Sequence, residues 1–476
     1  MADLIPFGEY RPDVADYEGQ HTLIATNVVP QADGYGPWFT LKNPSTALSA
    51  ACRGAFYAVD SSGNGVIFAG TSNKLFVTKN LGLTWTDASK GSSTYTALAT
   101  NKQWKFAQFN NFVIATQDQI SVPQVYDLTS STNFADLGGS PPSAAYVTVV
   151  NRFLVLSGLP ANPYRVQWSG LNALTTWDNV SAQSNFQDMA DNGVVYGVAG
   201  GEFGTIFQAR SIRRMTYAPG SPVIFTFERI TRDDGCIFPN SITQAADRLF
   251  YYSPQGFKSL IPGGLPQSIG KEKVDRTFNT DRDQNTAQLI IGSGDPRSNR
   301  VYWAYRQSST TAGLLSKIMV YDWMLDRWSL VIPDLNLETL TVLADGVNVP
   351  VLSAFTSNHQ FAYFGGYPFD KTNTLGANLE TAQRSDDAQN RRLFVRGFRP
   401  VTDVTLASTE FAGYLTYRER LTDTMLATAN SSANAQGYVW TRKAARYFRA
   451  GVSLSTGVTW TFASGVVPDY GIEGMR

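Results

Sequence analysis

The chain has 476 residues and is short of several things. Histidine occurs only as His21 and His359, cysteine only as Cys52 and Cys236. Two distant histidines leave no HExxH helix, and no Cys pair, Walker loop or GxSxG elbow accompanies them. Zinc hydrolase, P-loop and α/β-hydrolase chemistries therefore lack their residues. Two cysteines exclude a disulfide framework; one Cys52–Cys236 bridge and two buried thiols in a reducing compartment both stay open. No apolar run approaches the roughly 18 residues that span a bilayer. The opening stretch MADLIPFGEYRPDVADYEGQ lacks a basic and an apolar region, so the expectation is a soluble product of a cytoplasm. Charged residues make up only 16% of the chain, against about a quarter in ordinary domains. That shortage suggests surface buried against other chains. Lys+Arg and Asp+Glu both number 39, which argues against a basic nucleic-acid grip. Sustained helical periodicity is nearly absent; the best candidates are 44–59 and 270–278.

What is present is the β-hairpin, many times over. In DRLFYYSPQGFKSL (247–260), Leu249 and Tyr251 point to one face of an extended chain, Phe250 and Tyr252 to the other. Pro254 and Gly256 suit the turn between them and the return strand that starts at Phe257. A lone hairpin is at best marginally stable, so this one needs neighbours on both faces. Residues 63–80, 110–127, 151–170, 204–217, 299–331 and 359–366 repeat the pattern. Several runs open on Asn or Asp followed by Arg: Asn151-Arg152, Asp247-Arg248, Asn299-Arg300. Successive hairpins start roughly 40 to 60 residues apart, the spacing of propeller blades.

The pattern predicts an all-β chain: a β-propeller of six to seven blades over 46–379, an N-terminal arm over 1–45 and a smaller β-sandwich-like unit over 380–476. Closure of a propeller gives every blade two apolar neighbours and leaves only short edges unpaired. Thr78, Asn80, Gly82, Thr84 and Trp85 fit the Asp-box turn, and 320–330 fits a kelch-like corner. The polar stretch 368–392 reads as a linker or long loop.

Candidate chemistry is sparse. Asp281, Asp283 and Asn285 have calcium-loop spacing but lack the Gly and closing Glu of that loop, so a surface turn is the better reading; 232–235 is another. Arg152, Arg213, Arg248 and Arg300 are the arginines that a sialidase-like site would draw on, read instead as caps of blade edges. Two clusters interleave arginine with aromatics: Arg391, Arg392, Phe394, Arg396, Phe398 and Arg399, then Arg442, Arg446, Tyr447 and Arg449. Arg beside Phe and Tyr suits a protein interface, and these ten are the candidate interface residues. No catalytic, cofactor or metal residue is assigned.

Residues 191–260 resemble the central region of podovirus-type phage tail hub or nozzle proteins. The likeness rests on Gly200-Gly201-Glu202, the strand pair at 207–217, the strand at 225–230, the turn at 235–241 and the hairpin at 249–257; 166–178 and 457–476 add to it. The resemblance implies a non-enzymatic virion protein with a propeller body that forms a ring, usually a hexamer, under the adaptor of the head–tail connector. Tail fibres or spikes and a needle or plug would attach nearby. Packaged DNA would be held in and later pass through without sequence-specific binding, which zero net charge suits. Loops near 305–315 and 368–390 would gate or make contacts. The alternatives are a sialidase-like glycoside hydrolase and a glycan-binding propeller.

Overall fold

A computed structural model describes every residue except 1–3, 16–18, 81, 286–288, 345–347, 366–372, 387–390, 405–409 and 474–476. The 247–260 hairpin forms as strands Arg248–Ser253 and Gly256–Leu260, with Ser253 opposite Gly256. Its two faces go to different neighbours. Leu249 and Tyr251 join Phe207 and Ile212 in one core cluster, while Phe250, Tyr252 and Phe257 join Trp303 and Trp328 in another. Phe257 lies 4.7 Å from the Trp303 ring and 5.1 Å from Trp328. Burying a Phe fully contributes about 1.5–3 kcal/mol, so the ribbon is stable only as a filling between two other sheets.

The same arrangement repeats around the chain. Seven four-stranded antiparallel blades follow one another, with first strands Ala55–Val59, Lys105–Phe109, Tyr146–Val150, Val195–Ala199, Thr243–Ala245, Ile290–Gly294 and Leu337–Ala344. The first strand of blade 7 lies beside that of blade 1, which closes a β-propeller. Each junction between blades holds its own core cluster: Phe68 with Tyr126 between blades 1 and 2, for instance, and Ile67 with Phe355 between blades 7 and 1. Primed hairpin turns join first to second strands where the loop is two residues. Asn110 and Asn151 start such loops at φ 53° and 54°, a region that asparagine tolerates better than most residues.

The N-terminal 1–45 segment does not stand apart as an arm. Leu41–Lys42 supplies the outermost strand of blade 7, pairing with Phe361–Phe364. Ala25–Thr26 runs parallel to Arg327–Val331, the last strand of blade 6, and antiparallel to Ala377–Glu380. Beyond Ala377–Glu380 come Tyr447–Leu454 and Phe411–Arg418, so blade 6 continues into a ten-stranded sheet. A second sheet packs on this extension, ordered Val28–Gln31, Gly34–Pro37, Ala463–Ile472, Leu393–Thr402, Val439–Ala445, with Ile5–Pro6 also on Ala463–Ile472. Together they form a sandwich whose core residues Phe398, Phe411, Leu415 and Phe448 belong to the same cluster as Trp303 and Trp328. Propeller and sandwich thus share backbone hydrogen bonding and a core.

Three local expectations need correction. The stretch 44–59 is no helix: it ends in strand Ala55–Val59, preceded by Gly54 at φ 116°, where Trp104 backbone crowds the position. The helix expected at 270–278 starts later, as α1, Asp275–Asp281, with the Asp13 carboxylate accepting from the N–H of Arg276 and Thr277 at its first turn. The supposed linker 368–392 contains the buried strand Ala377–Glu380; its portions 368–372 and 387–390 lie outside the described residues. Cys52 and Cys236 are both free and buried, so they form no bridge.

Candidate interface on the sandwich

The two arginine–aromatic clusters fall on or beside two neighbouring strands of the second sandwich sheet, Leu393–Thr402 and Val439–Ala445, and on Tyr447–Leu454, which crosses to the ten-stranded sheet. Strand Leu393–Thr402 would alternate simply, but its register shifts between Val395 and Gly397 against both neighbours. This bulge sends Phe394, Arg396 and Arg399 outward while Val395 and Phe398 point in. Across the sheet, Trp440 and Arg442 share the outward face and Val439 is buried.

The outward face is organised. Asp469 accepts from Arg396 Nη1 at 2.6 Å and from the Tyr438 hydroxyl at 3.1 Å. Tyr438 meets the Trp440 ring edge-on at 4.6 Å, and the Arg442 guanidinium sits 5.2 Å from the same indole. Burial and the bond to Asp469 push the Tyr438 phenol up to about 12. Arg–indole stacking and an aromatic pair hold the large side chains in place before any partner arrives, which lowers the entropy cost of docking.

Four more of the ten candidates lie near this face or beyond its ends. Arg391 is held by Asp386 at 2.5 Å, and Arg392 lies between Glu419 at 2.9 Å and Glu473 at 3.2 Å. Arg446 is exposed, and Tyr447 is half-buried beneath Arg418. Two candidates are corrected. Phe398 is fully buried between the sheets, and Arg449 is buried in an ion pair with Glu380 at 3.1 Å. Neither can meet a partner. Sequence reading missed Trp440, Tyr438 and Asp469. Trp440 directly precedes the second cluster, and the alternation of that strand was the available signal.

The remaining candidates disperse. Asp281 binds Lys317 at 2.8 Å and the Tyr305 hydroxyl at 2.7 Å, whereas Asp283 binds Arg306 at 2.6 Å. Each carboxylate has its own protein cation, and no metal-holding group of His, Cys, Asp or Glu occurs among the described residues. Arg152, Arg213, Arg248 and Arg300 lie on four different blades; Arg213 pairs with Asp191 and Arg300 with Asp322. His359 contacts Glu338 through Nδ1, and the other Glu338 oxygen accepts the Cys52 N–H at 2.8 Å. Burial holds the Cys52 thiol well above its ordinary pKa, and its Sγ contacts the Gly54 carbonyl at 3.5 Å, so this cluster holds no ready thiolate. It locks blade 7 to blade 1.

The Asp-box turn forms as expected. Asn80 Oδ1 accepts from the Thr78 hydroxyl at 2.7 Å and from the Thr84 N–H at 3.1 Å; Gly82 takes φ 90° against the Phe361 ring. Trp85 packs on Phe355 of blade 7 at 5.6 Å.

No family model matches the chain, and no curated protein does. Solved structures similar to it include virginiamycin B lyase from Staphylococcus aureus, at 11% identity and TM-score 0.46, covering 68% of this chain and 99% of that one. The N-terminal domain of Nup159 is 10% identical with TM-score 0.41, covering 71% and 98%. YCF48 bound to D1 peptide is 11% identical with TM-score 0.38, covering 69% and 96%. Likeness at this level carries no argument about function; the assignment of a seven-bladed propeller with an attached β-sandwich rests on strand order and ring closure.

Proposed function

We propose that this chain is a structural subunit of a short phage tail, of the hub or nozzle type that residues 191–260 resemble, and that it works as part of a ring. In this reading the ring, of six copies as the resemblance implies, sits beneath the adaptor, carries fibre and needle proteins, and lets DNA pass without reading its sequence. The observation that carries the reading is mechanical. A ten-stranded sheet fuses blade 6 to the sandwich, so the outward arginine–aromatic face keeps a fixed position relative to the propeller. A ring that holds a pressurised genome needs subunits that do not hinge between body and contact surface.

Imaging of purified virions labelled through the C-terminus of this chain tests the reading. Label is expected on the tail below the head–tail junction. Virions without label, or turnover of a fluorogenic glycoside by the purified chain, would contradict it.

A further inference from the structure

Blade edges are where a propeller leaves backbone hydrogen bonds unmade. This chain covers or shortens most of them. Ala25–Thr26 runs along the outer strand of blade 6. The outer strands of blades 1, 2, 5 and 7 have two residues each: Thr86–Asp87, Ala135–Asp136, Gln267–Ser268 and Leu41–Lys42. Blade 4 differs. Its outer strand, Phe225–Arg229, has five residues and pairs only with Ile212–Tyr217 among the described residues.

The phase of that ladder shows which groups are open. The Ala218 N–H donates to the Ile224 carbonyl at 3.0 Å, and the Ile230 N–H to the Ile212 carbonyl at 2.8 Å. Between these ends, Tyr217 lies opposite Phe225 and Arg213 opposite Arg229. Bonded and non-bonded pairs alternate along an antiparallel ladder. Thr226 and Glu228 therefore bond inward, while Phe225, Phe227 and Arg229 turn their N–H and C=O groups to the outside.

A groove of about 620 Å³ adjoins this edge, lined by Phe227 together with Asp188, Met189, Asp191 and Arg213. Its charges are sorted by depth. The Asp188 and Asp191 side chains are 43% and 48% exposed, whereas Arg213, which holds Asp191 at 2.5 Å, is 11% exposed. Arg229, which would otherwise guard the edge, is also tied to Asp191. An incoming side chain thus meets carboxylates at the rim and an apolar floor of Phe227 and the buried Met189. A long side chain with an apolar stem and a cationic head complements both.

We propose that the outer edge of blade 4 accepts an extended strand of a partner protein. A lysine or arginine of that strand lies in the groove, with its stem on Phe227 and its charge at Asp188 and Asp191. The outward backbone groups of Phe225, Phe227 and Arg229 supply the binding ladder, and the groove selects the side chain. The inference stands whether or not the chain forms a ring.

The test uses the full-length chain and an end-capped synthetic peptide, Thr-Val-Thr-Lys-Thr-Val-Thr. One control peptide has glutamate in place of lysine; the other carries N-methyl groups on its amides, which block the ladder. In fluorescence anisotropy at low salt, the lysine peptide is expected to bind at least about tenfold tighter than either control. Its binding should slow hydrogen exchange at the amides of Phe225, Phe227 and Arg229 more than at Thr226 and Glu228. Arg229→Pro removes one outward N–H at an edge where proline is tolerated, and should weaken the lysine peptide by about tenfold. Thermal melting shows that this variant keeps the fold. A glutamate or N-methylated peptide that binds as tightly would overturn the inference, as would unchanged exchange at the three amides or no binding of the lysine peptide. Self-association of the chain that Arg229→Pro abolishes would make a second copy the occupant and overturn the assignment to a separate partner.

Discussion

Asp275 offers a quantitative probe of how the N-terminal segment, α1 and blade 5 are joined. Its Oδ1 accepts the Phe257 N–H at 3.0 Å, at the turn of the 247–260 hairpin. Its Oδ2 is sealed from solvent with no hydrogen-bond partner. Burial, reinforced by the Asp13 carboxylate and opposed by the Phe257 N–H, lifts the carboxyl from 3.8 to about 6. A carboxyl whose folded pKa is raised stabilises the fold in its protonated form. That stability is fully present below about pH 4, declines as pH rises through about 6, and is gone at pH 8. About two pK units at about 1.4 kcal/mol each put the loss at no more than about 3 kcal/mol. Asp275→Asn keeps an acceptor for Phe257 and removes the titration. In urea unfolding between pH 4.5 and 8, the variant is expected to gain on wild type steadily through pH 6, by about 1–3 kcal/mol at pH 8. A difference that stays constant across pH 5–7, or one that moves against the variant, would refute the reasoning.

Other perturbations have equally definite signs. Burial lowers the Lys105 amine to about 8, so its charge destabilises the fold below that pH; Lys105→Met should stabilise by about 1–3 kcal/mol at pH 7, with the gain vanishing towards pH 10.5 in the same unfolding assay. Arg449→Met should cost about 3–5 kcal/mol in thermal unfolding, because Glu380 is left buried and unpaired; a neutral result would return Arg449 to the surface. Gly82→Ala, which needs φ 90° and meets the Phe361 ring at 2.6 Å, should cost about 1–3 kcal/mol by the same measurement. Cys52 and Cys236, buried and with raised pKa, should react with a thiol reagent only as fast as the chain unfolds.

The propeller was legible because its strands alternate locally and its hairpins pair residues a few positions apart. The 247–260 run announced two apolar faces, and those faces meet blades 4 and 6. The N-terminal segment was not legible, because Ala25–Thr26 and Leu41–Lys42 are two-residue strands whose partners lie about 300 positions away. The strand Ala377–Glu380 was hidden in a polar stretch for the same reason: its pairing with Tyr447–Leu454 has no local signature. The small and apolar residues of 44–59 resembled a helix because spacing alone cannot register a glycine with positive φ against a neighbouring blade. At the interface, composition found the arginines but not their direction. The bulge at Arg396 sets which side chains face out, and Glu380, 69 residues before Arg449, draws that guanidinium inside.

The most direct measurement is an electron cryo-microscopy map of the assembly that the purified chain forms in low salt. A closed ring of copies is the expected result. Sandwiches that meet one another across a twofold axis, or a map of isolated monomers, would contradict it.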